Sequence, residues 1–352
     1  MQWFDQSILM WLGICLALNI FVSYLWHRKF YLKLGLKNYQ AIQRIHLNET
    51  PRLGGLIFLI SLIGFVIYCD ATESILLLKL MLVCLSPIMV IGIKEDLFHN
   101  VNPSIRLISL LFVGCLFRAK FMGPLPNISE VPLVGELIFL QGGVSAFYIL
   151  GMVAIANGMN LIDGVNGLCG AAALSILSAL LFLSYKTADI LMLSVIFTLI
   201  LFLIPFMLMN YPKGLIFLGD LGAYSLGLII SMLTIILFGR HPEVSPWAAV
   251  LILIYPITEI IFSILRRNLS GVSITNPDTK HLHLKLFYFF QHHPSCKKIA
   301  NGLVTLTLCG LWIFPLLTIP WVYHTTPLIW IAIILFMTLY VALYAIIPKA
   351  QK

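Results

Sequence analysis

From Ile190 to Met209 the chain reads ILMLSVIFTLILFLIPFMLM, twenty residues without a charge. About 20 apolar residues cross the hydrocarbon of a bilayer as one helix. In lipid, each backbone amide must also find its partner within the protein. The run does not alternate apolar with polar, so a transmembrane barrel strand does not fit it. With this run there are eleven such windows, at about 7–25, 52–69, 75–93, 105–122, 143–160, 167–185, 189–209, 219–238, 247–265, 299–319 and 326–347. Composition agrees: 60% of residues are apolar and 10% charged, against about 25% charged in a soluble domain. The expected fold is all-α, a polytopic integral membrane protein of about eleven transmembrane helices. A single domain covers 1–352. The longest inner loop, 266–298, is too short for a separate soluble one.

A net charge of +8 would suit a nucleic-acid binder if it gathered on one surface. It follows alternate loops instead. One set of loops, with Arg52 and Arg106 at its borders, holds 17 of the 22 Lys and Arg residues; the other holds four. The positive-inside bias assigns the rich set to the cytoplasm and the N-terminus to the outside. Cations such as Arg28, Lys29, Lys33 and Lys37 read as topology and headgroup contacts. Asp5 precedes the first window, no cationic segment does, and no small-residue cleavage site follows, so we expect a retained helix rather than a signal peptide. The seven cysteines are scattered without a Cys-x-x-Cys pair, which indicates neither a disulfide framework nor a zinc site. The segment 119–142 alternates and is rich in Pro and Gly, as a small outer hairpin would be.

The acids sort by side. The outer ones, among them Asp70, Asp189 and Glu243, stand in no polar motif. The inner ones have company. IGIKEDLFHNVNPSIRL holds Glu95 and Asp96, NGMNLIDGVNGL holds Asn160 and Asp163, and MNYPKGLIFLGDLGAYSLG holds Asn210 and Asp220. All fall at inner membrane borders and could converge on one cytoplasmic cleft. Converging carboxylates repel one another and call for a cation. Oxygen donors without Cys or His favour Mg²⁺ or Mn²⁺, usually held by one or two carboxylates plus substrate phosphates. The glycines beside the acids would let backbone approach a bulky anion. Taken singly, Asp163 and Asp220 would serve equally as helix caps. Glu95 and Asp96 are neighbours and do not share a helix face, so at most one is expected to bind metal directly. Glu259 lies inside a window and is expected to make a buried structural hydrogen bond or ion pair.

In SITNPDTKHLHLKLF, His281 and His283 are two apart, between Lys280 and Lys285. Residues two apart in an extended segment share a side. Two imidazoles between two ammonium groups suit phosphate oxygens. A zinc site would need four ligands where His-x-His supplies two, and a merely solvated loop is the third reading.

In this order the motifs resemble the polyprenyl-phosphate N-acetylhexosamine-1-phosphate transferases, glycosyltransferase family 4. The resemblance runs from about His46 to Leu286. RIHLNETPRLGG is similar to the family's first inner-loop motif, ending in Pro-Arg-x-Gly-Gly. KEDLFHNVNPSIRL resembles its acidic pair with a downstream Arg, and NGMNLIDGVNGL its Asn-x-x-Asn-x-x-Asp-Gly-x-Asp-Gly-Leu. NYPKGLIFLGDLGAYSLG resembles its Asn plus Phe-x-Gly-Asp-x-Gly-Ser, and PDTKHLHLKL its histidine loop. Four departures stand out. The acidic pair is Glu95-Asp96 rather than Asp-Asp. Asn166 stands where the family has a second Asp, and Ala223 where it has Ser. The histidine run is shortened, with Leu284 and Lys285 following His283.

The resemblance implies Mg²⁺-dependent transfer of a sugar-1-phosphate from a UDP-N-acetylhexosamine to polyprenyl (undecaprenyl) phosphate. UMP leaves, and a lipid-linked cell-surface glycan begins. The catalytic set it implies is Asp96, which activates the lipid phosphate, with Glu95 in support, and Asp163. Asp220 is the metal ligand. Asn160 and Asn210 orient nucleotide and phosphates with Asp163, Phe217 stacks on uracil, and His281, His283 and Arg52 hold the diphosphate. It also implies the bacterial cytoplasmic (inner) membrane, with a homodimer left open. The alternative is a transporter or flippase of a phosphorylated or lipid-linked substrate, whose binding groups would lie near mid-membrane.

Overall fold

The computed structural model describes residues 6–27, 50–129, 135–136, 140, 142–269, 271 and 280–348. Among these there are helices and no strands. In order they are α1 Gln6–His27, α2 Gly54–Tyr68, α3 Glu73–Phe98, α4 Pro103–Lys120, α5 Gly143–Ile162, α6 Leu168–Lys186, α7 Ile190–Asn210 and α8 Gly219–Arg240. There follow α9 Pro246–Ile252, α10 Ile254–Leu269, α11 Leu282–His292, α12 Ala300–Thr307, α13 Cys309–Trp312, α14 Phe314–Val322 and α15 Thr326–Ile346. The cations of 28–44, Asp278 and residues 130–134, 137–139 and 141 of the suggested hairpin lie outside the described residues. In the described part of that loop, the Tyr148 hydroxyl donates to the Pro126 carbonyl at 2.8 Å.

Each of the eleven windows coincides with a helix or a bent pair of helices. Seven helices are long and apolar enough to cross a membrane, and two bent pairs raise the number to as many as nine among the described residues. The helix α2 is 15 residues long. At 1.5 Å per residue it extends about 22 Å, short of a hydrocarbon layer of about 30 Å. α4 is long enough but carries three cations, Arg106, Arg118 and Lys120.

The helices start where their sequences provide caps. Thr72 accepts from the Ile75 amide, and Asn102 accepts from Ser104 just before Pro103. Pro103 at the first helical position loses no hydrogen bond there. The helix α8 is the axis of the fold. Every residue from Gly219 to Phe238 is buried, wrapped by α2, α3, α5 and α6. A helix apolar on all sides belongs inside a bundle, and α8 begins with Asp220. Small residues permit the close crossings: a Cβ on Gly227 would lie 2.6 Å from the Ala156 Cα on α5.

The window at 247–265 is not a straight span. α9 and α10 meet at 74°. Pro256 supplies the reason: it has no N–H, and its ring clashes with the carbonyl four residues back, at Ile252, where α9 ends. The bend turns α10 out of line and carries Glu259 with it.

At the far end of α8 from Asp220, one of the acids that the sequence assigned to the outside has company after all. Asp189 accepts from Arg240 Nε at 2.6 Å and Nη2 at 3.2 Å, and from the Met192 amide at 3.1 Å. His241 Nε2 lies 2.9 Å from the same carboxylate. The partners are about fifty residues away in sequence, so the linear pattern concealed them. Burial alone would raise the Asp189 carboxyl. Its bonds to Arg240, His241 and the Met192 amide outweigh that and hold it below its ordinary 3.8. A depressed folded value gives stability that is present above the unfolded value and lost as pH falls through the folded one. Arg240 is 40% exposed, so Asp189→Asn is expected to cost only about 1–2 kcal/mol near neutral pH. Thermal unfolding in detergent should show this gap closing as the pH falls below about 4.

Candidate functional site

Three segments far apart in sequence meet at the start of α8. The Pro51–Gly55 segment is bonded to the residues just before and at the head of α8. The Phe217 amide donates to the Pro51 carbonyl at 2.8 Å, Gly54 to Phe217 at 2.8 Å, and Gly55 to Leu218 at 2.9 Å. Gly55 permits the approach, since a Cβ there would overlap the backbone of Gly222. The second segment is the end of α3. Asp96 Oδ1 accepts from the Asp220 amide at 2.8 Å, and Oδ2 from Leu221 at 3.0 Å. The residue in the cap position of α8 is Leu218, which offers no side-chain bond. A carboxylate on α3 therefore caps α8, where the helix dipole favours negative charge. Gly219, at φ +78°, makes room for it; a Cβ would sit 2.5 Å from Asp96 Oδ2.

The third component is the charge around Asp220. Arg52 Nη2 donates to its Oδ1 at 2.5 Å, and Arg106 Nη1 to its Oδ2 at 2.7 Å. Arg52 Nε also lies 3.5 Å from Asp96 Oδ1, and Arg106 Nη1 lies 3.7 Å from Glu95 Oε1. Glu95 Oε2 accepts from the Val101 amide at 2.8 Å and so closes the turn between α3 and α4. Asn160 faces Asp220 from α5. Asp163, at the end of α5, couples to Arg52, Asp220 and Asp96. Burial pushes its carboxyl well above the usual range; Arg52 opposes this, and Asp220 and Asp96 add to it. Burial works against the charge on Arg52, yet Asp220, Asp96 and Asp163 keep the guanidinium more firmly protonated than usual.

The acidic motifs thus converge, and the single-residue capping alternative falls away. The cap of α6 is Gly167 rather than Asp163, and α8 is capped by Asp96 rather than Asp220. The glycines serve a different end from the one expected. Those at 55 and 219 admit protein atoms. So does Gly164, where a Cβ would meet His283 Nε2.

Asn210 turns inward. Its Oδ1 accepts from the Gly167 amide at 2.5 Å, and its Nδ2 donates to the Ile216 carbonyl at 2.7 Å. It joins the Asp163 loop to the segment before α8. Asn166 is held likewise, with Nδ2 donating to the Pro212 carbonyl at 2.9 Å. A carboxylate could not make that bond, which accounts for Asn in this chain. Its backbone is tied to Asn301 at 2.5 Å and to Thr305 at 2.6 Å. Phe217 is half-buried, its backbone bonded on both sides to the Pro51–Gly55 segment. Ala223 is fully buried.

The histidines are buried and lie together, their rings nearly parallel at 5.7 Å and 14°. His281 is the residue before α11 and His283 lies within it, so the pair is not on an extended strand. Lys285 Nζ donates to the Tyr344 carbonyl at 2.7 Å and sits 4.1 Å from the centre of its ring. The side chain of Lys280 is on an exposed residue whose carbonyl accepts from Arg266.

Sequence reasoning took Arg106 for a topology signal, although it is the downstream Arg of the acidic-pair motif. It missed His99 beside Arg52, Glu95 and Asp220, whose imidazole burial and Arg52 hold below its ordinary value. It also missed Asn301 and Thr305, which no local pattern marks.

No group of three His, Cys, Asp or Glu among the described residues gathers in a form ready to hold a metal alone. One or two carboxylates completed by substrate phosphates is the ordinary setting for Mg²⁺. The oxygen donors at Asp220, Asp163 and Asn160 have the hardness such an ion prefers. The donor set fits a divalent cation that arrives with a phosphate ligand.

Residues 78–238 match the sequence model of glycosyl transferase family 4. That stretch includes Glu95, Asp96, Arg106, Asn160, Asp163, Asn210, Phe217 and Asp220, and leaves out Arg52, His281 and His283. The chain is 28% identical over 269 residues to a Bacillus subtilis (strain 168) protein named probable undecaprenyl-phosphate N-acetylglucosaminyl 1-phosphate transferase, covering 74% of this chain and 72% of that one. It is 26% identical over 281 residues to a phospho-N-acetylmuramoyl-pentapeptide-transferase of Levilactobacillus brevis, covering 75% and 84%. An undecaprenyl-phosphate alpha-N-acetylglucosaminyl 1-phosphate transferase of Yersinia pestis is 26% identical over 266 residues, covering 73% and 70%.

The crossing at Gly55 should be intolerant of one methyl group. Gly55→Ala is expected to cost about 1–3 kcal/mol through overpacking and to lower turnover by pulling Arg52 from Asp220. Gly151→Ala, where a Cβ meets nothing within 4 Å, should leave both melting temperature and turnover unchanged.

Proposed function

This chain is a relative of the glycosyl transferase family 4 proteins, and we propose that it transfers an N-acetylhexosamine-1-phosphate from a UDP-sugar to polyprenyl phosphate, releasing UMP. The observation that carries the reading is Asp220 held between Arg52 and Arg106, with Asp96 and Asp163 alongside; all but Arg52 lie inside the family-matched region. The names of the relatives support the same transfer. The cation is Mg²⁺ or Mn²⁺, with Asp220 and Asn160 as its protein donors. When bound, it neutralises charge that develops as the diphosphate is cleaved.

The residues divide the work as follows. Arg52 and Arg106 neutralise Asp220. Both are within reach of the phosphates that approach Asp220, and guanidinium groups bind phosphate in a two-pronged fashion. Asp96 has both oxygens on α8 amides, so it acts by fixing Asp220 and not as the base first expected. Asp163, with a raised proton affinity, takes over the role of activating the lipid phosphate. Glu95 orients Arg106. Asn210 shapes the loop that bears Asp163 rather than orienting the nucleotide itself. His281 and His283 stand at the other side of that loop, on the path of the diphosphate, and Phe217 is kept as the uracil platform. One helical unit with about eleven transmembrane helices, an outer N-terminus and a place in the bacterial inner membrane complete the proposal, with a homodimer left open. The transporter alternative finds no support among the relatives, and the acids gather at helix ends rather than at mid-membrane.

Purified protein in detergent, given undecaprenyl phosphate, Mg²⁺ and a panel of UDP-N-acetylhexosamines, should release UMP from at least one of them. Asp220→Asn should reduce that rate by a thousandfold or more, about 4 kcal/mol of transition-state stabilisation. Absence of UMP, or release of UDP in its place, would count against the proposal.

A further inference from the structure

Glu259 has no part in the reaction outlined above, yet it is placed with care. Its residue is 1% exposed, and its Oε2 lies 3.2 Å from His281 Nδ1, itself buried. The bend at Pro256 brings it there. Tyr255, one turn earlier on α10, and Tyr340 on α15 are both buried and couple to the same carboxylate, as does His283. The residue before His281 is fixed too: the Lys280 carbonyl accepts from Arg266 Nη1 and from the Tyr344 hydroxyl. His281 is therefore gripped from α10 and from its own backbone. Its ring lies against that of His283, whose Nε2 rests over Gly164, next to Asp163.

A buried carboxylate on one nitrogen of an imidazole decides which nitrogen carries the proton and where the other points. We propose that Glu259 is a positioning residue for the transfer reaction. It holds the proton on His281 Nδ1 and fixes the plane of the ring, so that Nε2 is turned to the phosphates of the UDP-sugar. The proposal rests on the reading that His281 contacts the diphosphate. The groups that share this pocket are Glu259 and Tyr255 on α10, Tyr340 on α15 and His283 on α11. Among them, Glu259 is the acid.

The test is a double-mutant cycle on the purified protein with Mg²⁺ saturating. Glu259→Gln keeps size and an acceptor but loses the charge. It should lower kcat for UDP-sugar about ten- to a hundredfold, as removal of a histidine's orienting partner commonly does, with KM for polyprenyl phosphate unchanged. In a His281→Ala background the same change should cost less than about twofold, because a group that acts through His281 has nothing left to act on. Additive losses, or a wild-type kcat in Glu259→Gln, overturn the proposal. If His281→Ala alone keeps full kcat, it is the diphosphate reading of His281 that fails. Should Glu259→Gln not fold, the wild-type protein still decides. Nitrogen-15 shifts of His281 must show Nδ1 protonated, and an unprotonated Nδ1 overturns the proposal without any variant.

Discussion

The arrangement depends on a single carboxylate that serves a helix other than its own. α8 is enclosed on every side, so its first amides cannot turn to water. A helix leaves four such N–H groups without partners, and each one buried unpaired costs about 1–3 kcal/mol. Asp96 takes two of them, from Asp220 and Leu221. Its charge also meets the positive end of the helix. Arg52 balances that charge from a segment whose backbone is bonded to residues 217 and 218. Remove Asp96 and the head of α8, the Pro51–Gly55 segment and the orientation of Asp220 all lose their common point of support.

Two guanidinium groups stand among the four carboxylates of the site. Arg52 and Arg106 occupy both oxygens of Asp220, and Arg106 reaches toward Glu95. An anionic ligand that brings its own divalent ion can take up the same charges in a new pairing, carboxylate to metal and guanidinium to phosphate. The chemistry is then confined to groups that face the ligand, while Asp96, Asn210, Asn166 and the glycines at 55 and 219 hold the walls. Hard, buried hydrogen bonds set the positions, and a smaller number of side chains remains for substrate.

The sequence was informative where chemistry is local. Apolar windows located every described helix but α11, because a bilayer calls for long apolar runs and one hydrogen-bonding solution. The acidic motifs pointed to one site because each carries its Gly or Asn within a few residues. What escaped notice depends on distance. The capping of α8 by Asp96 joins residues more than a hundred apart, as does the pairing of Arg106 with Asp220. Asp189 finds Arg240 and His241 only after α7 and α8 have packed. Lys285 looked like a phosphate ligand beside its histidines, but a helix turn sends it to Tyr344. The glycines looked like room for an anion and prove to be room for neighbouring helices. Glu259 read as a mid-span acid because nothing in a linear window tells how far Pro256 bends the chain.

The central claim is that Asp96 works by holding the head of α8 and, through it, Asp220. Asp96→Asn tests it most directly, measured for melting temperature without substrate and for the Mg²⁺ concentration that gives half-maximal turnover. An asparagine retains one acceptor and loses the charge that meets Arg52 and the helix dipole. The account predicts a lower melting temperature together with a raised Mg²⁺ requirement. A variant that loses turnover while both quantities stay at their wild-type values would contradict it, and would return Asp96 to the part of a proton acceptor at the reacting phosphate.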